Sequence, residues 1–174
     1  ETETGAQFAI DALLAVSPPE PIEGHEVDLL HPIAVDLCTG SGAIGLSLAA
    51  ELPSGLVEVW LTDASSDALD VARANTVGLG SAGTCVRFGL GSWFAALPDA
   101  LRGELALVVS NPPYIAPDDP AIEAIVREWE PEGALFAADN GLADVRAVVS
   151  GAVKWLRPGG WLVLEIGARQ GSAV

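Results

Sequence analysis

Five short apolar runs recur along the chain, at residues 33–37, 56–62, 84–88, 105–110 and 161–166. They are rich in Val and Leu and read as strands covered on both faces. Between most of them lie helical patterns, at 43–51, 66–76 and 142–156. Strands buried on both sides and alternating with helices argue for a parallel sheet between two helical layers. Right-handed crossovers then give a doubly wound, mostly parallel α/β fold. Ser66 is placed to cap the helix at 66–76. Pro158-Gly159-Gly160 is expected to stop the helix at 142–156 and turn the chain into the last strand. Ahead of the first strand, Phe8, Ile10, Leu13 and Leu14 predict a short amphipathic helix, and residues 17–24 (SPPEPIEG) a proline-rich connection.

Size and composition narrow the function classes. The 174 residues suit one domain, and half of them are hydrophobic, enough for a buried core. No apolar run approaches the ~18 residues needed to cross a bilayer, and no basic segment precedes an apolar one as in a signal peptide. Cys38 and Cys85 do not make a metal spacing, so no metal is expected; two such thiols read as reduced and cytoplasmic. Eight basic residues stand against 24 acidic ones, for a net charge of −16. The basic residues are scattered singly, whereas a nucleic-acid backbone requires a basic groove. The acidity serves solubility or draws in a basic protein partner.

The segment VDLCTGSGAIG, residues 35–45, follows the first strand and opens the first of the three helical patterns. Gly40, Gly42 and Gly45 spell G-x-G-x-x-G, a weak match alone that gains weight from strand and helix on either side. Asp63 ends the next strand, where a carboxylate can accept hydrogen bonds from both ribose hydroxyls. Asp36 bears on the cofactor. A carboxylate beside the glycines repels a pyrophosphate and suits an ammonium or sulfonium. The loop therefore favours S-adenosylmethionine over a nicotinamide dinucleotide.

The fourth strand runs into Ser110-Asn111-Pro112-Pro113-Tyr114. In a sheet of order 3-2-1-4-5 this turn faces the glycine loop across the cofactor crevice. An amide nitrogen is a poor nucleophile because its lone pair is delocalised. The Asn111 side-chain oxygen and the Pro112 carbonyl can accept both N–H groups, so that the lone pair points at an incoming methyl group. Pro112 and Pro113 stiffen the turn, and Tyr114 offers a flat face. The same turn fits any planar NH2 group, on a glutamine or on a nucleobase.

The segments VDLCTGSGAIGLSLA, LTDASSDALDVARAN, GSWFAAL, SNPPYI, VREWEPEGALFAADNG and LRPGGWLVLEIG together resemble the release-factor glutamine methyltransferases. The resemblance runs from about residue 1 to 171. Its most specific element is residues 127–131 (REWEP). It implies a class I S-adenosylmethionine-dependent methyltransferase fold, with residues 1–174 forming a catalytic domain led by a helix and linker at 1–30. It implies that Cys38, Thr39, Gly40, Ser41 and Gly42, next to Asp36, hold the methionine part of the cofactor, Asp63 the ribose, and Trp93 the adenine. Asn111, Pro112, Pro113 and Tyr114 would hold the target amide, with Asn111 also beside the cofactor. The implied partner is a peptide-chain release factor, methylated on its Gly-Gly-Gln loop, with no direct nucleic-acid or membrane contact. Two positions depart from the family: Cys38 replaces a glycine, and Ser92 an acid. The family's N-terminal helical domain and the fold's final hairpin are expected to lie outside this chain, which has no Met to begin it. Two other readings share these residues: a nucleic-acid amine methyltransferase, and a cofactor-binding domain without turnover.

Overall fold

The computed structural model describes residues 2–15, 31–53, 56–117 and 132–174. The strands are β1 (Ile33–Leu37), β2 (Glu58–Asp63), β3 (Val86–Leu90), β4 (Leu105–Ser110) and β5 (Leu156–Leu164). They form one sheet of order β3-β2-β1-β4-β5 with every neighbouring pair parallel. This is the doubly wound class I methyltransferase architecture. The residues 17–24 connection and the 127–131 element lie outside the described residues.

The helices α1 (Thr2–Ala15), α2 (Ala43–Glu51), α3 (Ser66–Thr76) and α4 (Ala143–Trp155) cover the sheet. One core joins α1 and α2 to Ala34, Val59, Leu61, Leu107 and Val109. The other joins Val148, Ala152 and Trp155 of α4 to Val35, Leu37, Leu105 and Val108. Alternate residues of β1 and β4 thus enter opposite cores, which is why these strands read as near-continuous apolar runs, with Asp36 and Ser110 the polar residues near their ends. Fully burying each such Val or Leu contributes about 1.5–3 kcal/mol. Helix α4 presents Val145, Val148, Ala152 and Trp155 as one buried stripe at helical spacing.

The structure moves four expectations. Helix α1 exists, but Phe8 and Leu14 are exposed while Ala6, Ala9, Ile10 and Leu13 are buried. Its inner stripe uses alanines because α1 packs closely on α2. Ser65, one residue earlier than expected, caps α3: its hydroxyl accepts from the Ala68 N–H at 3.2 Å. Strand β3 begins two residues later than its apolar run, because residues 77–85 form a turn of 3-10 helix. Pro158-Gly159-Gly160 does not precede the last strand but interrupts it. Leu156 already pairs with Leu105 and Trp161 with Leu107, so the extra residues bulge out, with Gly159 at φ 78°. Pro and Gly are tolerated there because the bulge leaves the ladder to β4.

Candidate active site

The carboxyl ends of β1 and β4 lie side by side where the strand order reverses, the usual binding crevice of such sheets. A cleft of about 1000 Å³ opens there. Its first wall is the turn from β1 to α2. Cys38, Gly40 and Gly42 take left-handed backbone conformations, with φ 60°, 56° and 88°. For Cys38 this conformation costs on the order of 1–2 kcal/mol, so the glycine it replaces in the resembled family would sit there without strain. A Cβ at Gly40 would meet nothing within 4 Å, so the backbone there is open to close approach.

Gly42 and Gly45 serve a different end. A Cβ at Gly42 would stand 2.8 Å from Leu46 Cδ1, and one at Gly45 would stand 2.8 Å from Leu61 Cδ1 and 3.1 Å from Asp36 Cβ. They let α2 lie tightly against the sheet. Gly42 accordingly is not on the cleft wall, whereas Asp36, Cys38, Thr39, Gly40 and Ser41 are.

Two carboxylates shape this turn. Asp36 is buried at 1% exposure, and its Oδ2 accepts from Thr39 Oγ1 at 2.6 Å and from the Gly45 N–H at 2.9 Å. Burial raises its pKa to about 6; the two hydrogen bonds oppose the rise and the Asp63 charge adds to it. Asp63 Oδ2 accepts from the Gly40 N–H and Oδ1 from the Ser65 N–H, both at 2.9 Å. The Cys38 thiol is pushed up to about 12, chiefly by burial and with smaller contributions from Asp63, Asp36 and Asp144. It stays protonated at neutral pH and is no nucleophile.

The flank of the cleft is Gly91, Ser92 and Trp93. Trp93 also has a positive φ, 48°. The next residue locks the segment from behind: Phe94 stacks on Trp155 with centroids 5.6 Å apart. A Cβ at Gly151 would stand 2.4 Å from the Phe94 ring, so this glycine makes room for it.

The second wall follows β4. Ser110 is buried and donates through Oγ to the Leu37 carbonyl at 2.7 Å, tying the two strand ends together. Asn111 and Pro113 face the cleft. Pro112 is buried, and Tyr114 is half-buried with its hydroxyl donating to Glu165 Oε1 at 3.1 Å. The cleft thus brings Asn111 together with Asp36, Cys38, Thr39, Gly40, Ser41, Asp63 and Trp93.

Sequence reasoning missed other parts of the wall. Ala64, Ser65 and Ala68 line it just beyond Asp63, and small residues after that acid were a readable signal. Ala134 and Asp144 line it too. Asp144 has a pKa raised by desolvation. No local pattern marks it, because only the packing of α4 sets its place. Among the described residues, no group of three or more His, Cys, Asp or Glu is placed to hold a metal ion. Among them, too, no helix is long and apolar enough to cross a membrane.

Comparison with known proteins agrees with this geometry. A release factor glutamine methyltransferase of Burkholderia pseudomallei is 41% identical over 177 residues, covering 100% of this chain and 56% of the relative. One of Cereibacter sphaeroides is 46% identical over 152 residues, covering 86% of this chain and 52% of the relative. The chain spans about half the length of the curated relatives it matches. Among solved structures, a predicted O-methyltransferase of Agrobacterium tumefaciens, Atu636, superposes with a TM-score of 0.60 at 17% identity, over 95% of this chain and 63% of that one. The glycopeptide N-methyltransferase MtfA, solved with S-adenosyl-L-methionine, gives 0.53 at 16% identity, over 94% and 53%. These two share the fold. The methyltransferase small domain matches residues 26–131, which carry both the glycine turn and the Asn-Pro-Pro-Tyr turn, and the chain belongs to that family.

Proposed function

We propose that this chain transfers a methyl group from S-adenosylmethionine to the side-chain amide nitrogen of a protein glutamine, in the Gly-Gly-Gln loop of peptide-chain release factors. The observation that carries the reading is one cleft holding Asp36, Asp63 and Asn111 at the switch point of the sheet. When bound, the cofactor supplies an electrophilic methyl group on a positively charged sulfonium.

The residues present fit that group. Asp36 is a buried carboxylate without a cationic partner among the described residues, and a cation offsets its desolvation. Asp63 binds one backbone N–H on each oxygen, which leaves each oxygen a lone pair for a ribose hydroxyl. Gly40 leaves space for close approach, and Trp93 provides an aromatic wall for adenine. Three carboxylates, Asp36, Asp63 and Asp144, line the cleft and disfavour the pyrophosphate of a dinucleotide.

Asn111 Oδ1 and the Pro112 carbonyl accept the two N–H groups of the acceptor amide and orient its nitrogen. Tyr114 gives the amide plane a surface to lie on. No strong base is needed, because the alkylated nitrogen becomes acidic and releases its proton to water. At a net charge of −16, a basic protein loop is drawn to the crevice, whereas a polyanion is repelled. A cytoplasmic setting belongs to this reading and suits the free thiols of Cys38 and Cys85.

The test is methyl transfer from labelled cofactor to a release factor, its loop Gln→Ala variant, duplex DNA and ribosomal RNA, run on this chain and on the full gene product. Label on the release factor alone is expected. Label on nucleic acid, or equal label on the Gln→Ala variant, overturns the reading.

A further inference from the structure

Two side chains beyond the end of β5 reach back to the acceptor turn. Gln170 Nε2 donates to the Tyr114 carbonyl at 2.9 Å and lies 3.3 Å from the Gly141 carbonyl. Its Oε1 accepts from the Gly167 N–H at 2.9 Å, which closes the tail into a turn around the amide. Glu165 Oε1 accepts from the Tyr114 hydroxyl, and the Glu165 N–H donates to the Ser110 carbonyl at 3.0 Å. The turn is therefore held before Asn111 and at both ends of Tyr114. Its third side is equally close. A Cβ at Gly141 would stand 2.2 Å from the Tyr114 carbonyl oxygen, and the Ile115 N–H and carbonyl bond to Leu135 and Ala137. The Tyr114 hydroxyl satisfies Glu165 Oε1, while Glu165 Oε2 is buried and takes no hydrogen bond among the described residues.

We propose that Gln170 and Glu165 are positioning residues: by gripping the main chain and the phenol of Tyr114, they set the direction in which Asn111 and Pro112 present their acceptors to the reacting amide. The proposal rests on the glutamine-methylation reading given above. Neither side chain lines the cleft; both bond to Tyr114 and act through it. The physical reason for a grip from outside is the chemistry of the turn. Pro112 and Pro113 have no N–H, so the turn cannot be stiffened by hydrogen bonds from its own centre. The proline rings stiffen the turn internally, and the hydrogen bonds that orient it as a whole come from its flanks. A group that misplaces reacting atoms by about 1 Å costs on the order of 100-fold in rate, even from a distance.

The experiment uses Gln170→Ala, the near-isosteric Gln170→Met, Glu165→Ala and Glu165→Gln in the full gene product. It measures kcat, the KM of the acceptor protein, cofactor affinity by calorimetry, and amide hydrogen exchange over residues 110–116. For both Gln170 variants we expect kcat about 10- to 100-fold lower, cofactor affinity within about twofold, and faster exchange confined to the turn. A merely space-filling Gln170 would be replaced by Met with the wild-type kcat, and that result overturns the proposal. Glu165→Gln keeps an acceptor for the phenol, so it should recover most of the rate that Glu165→Ala loses. Equal loss in both would remove Glu165 from the role. Exchange is read without any acceptor. If the wild-type protein leaves glutamine unmethylated while the Gln170 variants still loosen the turn, the glutamine reading fails and the clamp stands. Unchanged kcat and unchanged exchange overturn the clamp itself.

Discussion

On the β1–α2 wall of the cleft, the side-chain bonds that shape the turn close over short stretches of chain. Asp36 binds Thr39 three residues away and Gly45 nine away, and Asp63 binds Gly40 across 23. On the β4 wall the corresponding bonds are far longer in sequence. Ser110 reaches Leu37 across 73 residues, Tyr114 reaches Glu165 across 51, and Gln170 reaches Tyr114 across 56. The first wall can take its shape once β1, α2 and β2 have packed. The second takes shape only after the C-terminal segment has docked behind it. Local stability follows the same division: a turn held by distant partners opens when those partners do.

The largest effect expected is on the second wall alone. On the proposed mechanism Asn111→Ala removes the acceptor for the reacting amide and should lower kcat by about 100- to 1000-fold. Cofactor affinity should fall much less, since Asn111 is only one part of the cofactor's wall. Single-turnover kinetics beside calorimetry separate the two, and a wild-type rate in this variant would remove Asn111 from the mechanism.

Breaking the first wall should give the reverse pattern. Asp63→Ala deletes the acceptor of the Gly40 and Ser65 N–H groups and, on the proposed reading, a charged partner for ribose. Each hydrogen bond to a charged group is worth about 1.5–3 kcal/mol, roughly a 10- to 100-fold loss of cofactor affinity per bond. Exchange over residues 110–116 should not change. Loosening of both walls in this variant would show that they are not independent.

The pH dependence sharpens the comparison further, because it belongs to the first wall. Asp36 has a folded pKa of about 6, above the ordinary carboxylate value, because burial disfavours its charge. The sign follows. Without ligand, the fold prefers the protonated acid, so stability is lost as pH rises from about 4 to about 6, by on the order of 3 kcal/mol. A cationic ligand prefers the carboxylate and lowers that pKa. Cofactor affinity should therefore be full above pH 6 and fall as pH drops below it, by up to about tenfold per unit. Calorimetry near pH 6 in buffers of different ionisation enthalpy should register proton release on binding. Affinity that is flat from pH 5 to 8 would contradict the role of Asp36, and Asp36→Asn should flatten it.

The smallest effect is a control. Ser65→Ala removes the cap of α3 and should cost about 1 kcal/mol of stability by chemical denaturation. It should slow methyl transfer little, although Ser65 lies on the cleft wall. A large loss of turnover would mean that Ser65 contacts the cofactor directly.

Much of this division was written in the chain. Apolar runs at 33–37 and 105–110 matched β1 and β4 because strands buried on both faces carry few polar residues, here only Asp36 and Ser110 near their carboxyl ends. The glycine turn and Asp63 were legible for a related reason: their bonds are local, so residue type and spacing carry the geometry. Asp36 was read as a cation-seeking charge; the structure shows it buried and bonded to Thr39 and the Gly45 N–H. The helix cap missed by one residue, since Ser65 and Ser66 are the same letter and only backbone angles tell them apart. The bulge at Pro158-Gly159-Gly160 looked like a stop because composition does not reveal whether a partner strand lies on both sides.

The sequence by itself determined the alternation of strand and helix, the place of the glycine turn at the end of β1, and an Asn-Pro-Pro-Tyr turn at the end of β4. These depend on local periodicity and on residues whose backbone limits act within a few positions. Only the tertiary structure decided that Gly42 serves packing and not the cleft wall, that Asp144 joins that wall, and that Glu165 and Gln170 grip Tyr114. Each of these depends on elements that meet in space after long loops close. A residue's letter records what it can bond, and the packed sheet decides which partner comes within reach.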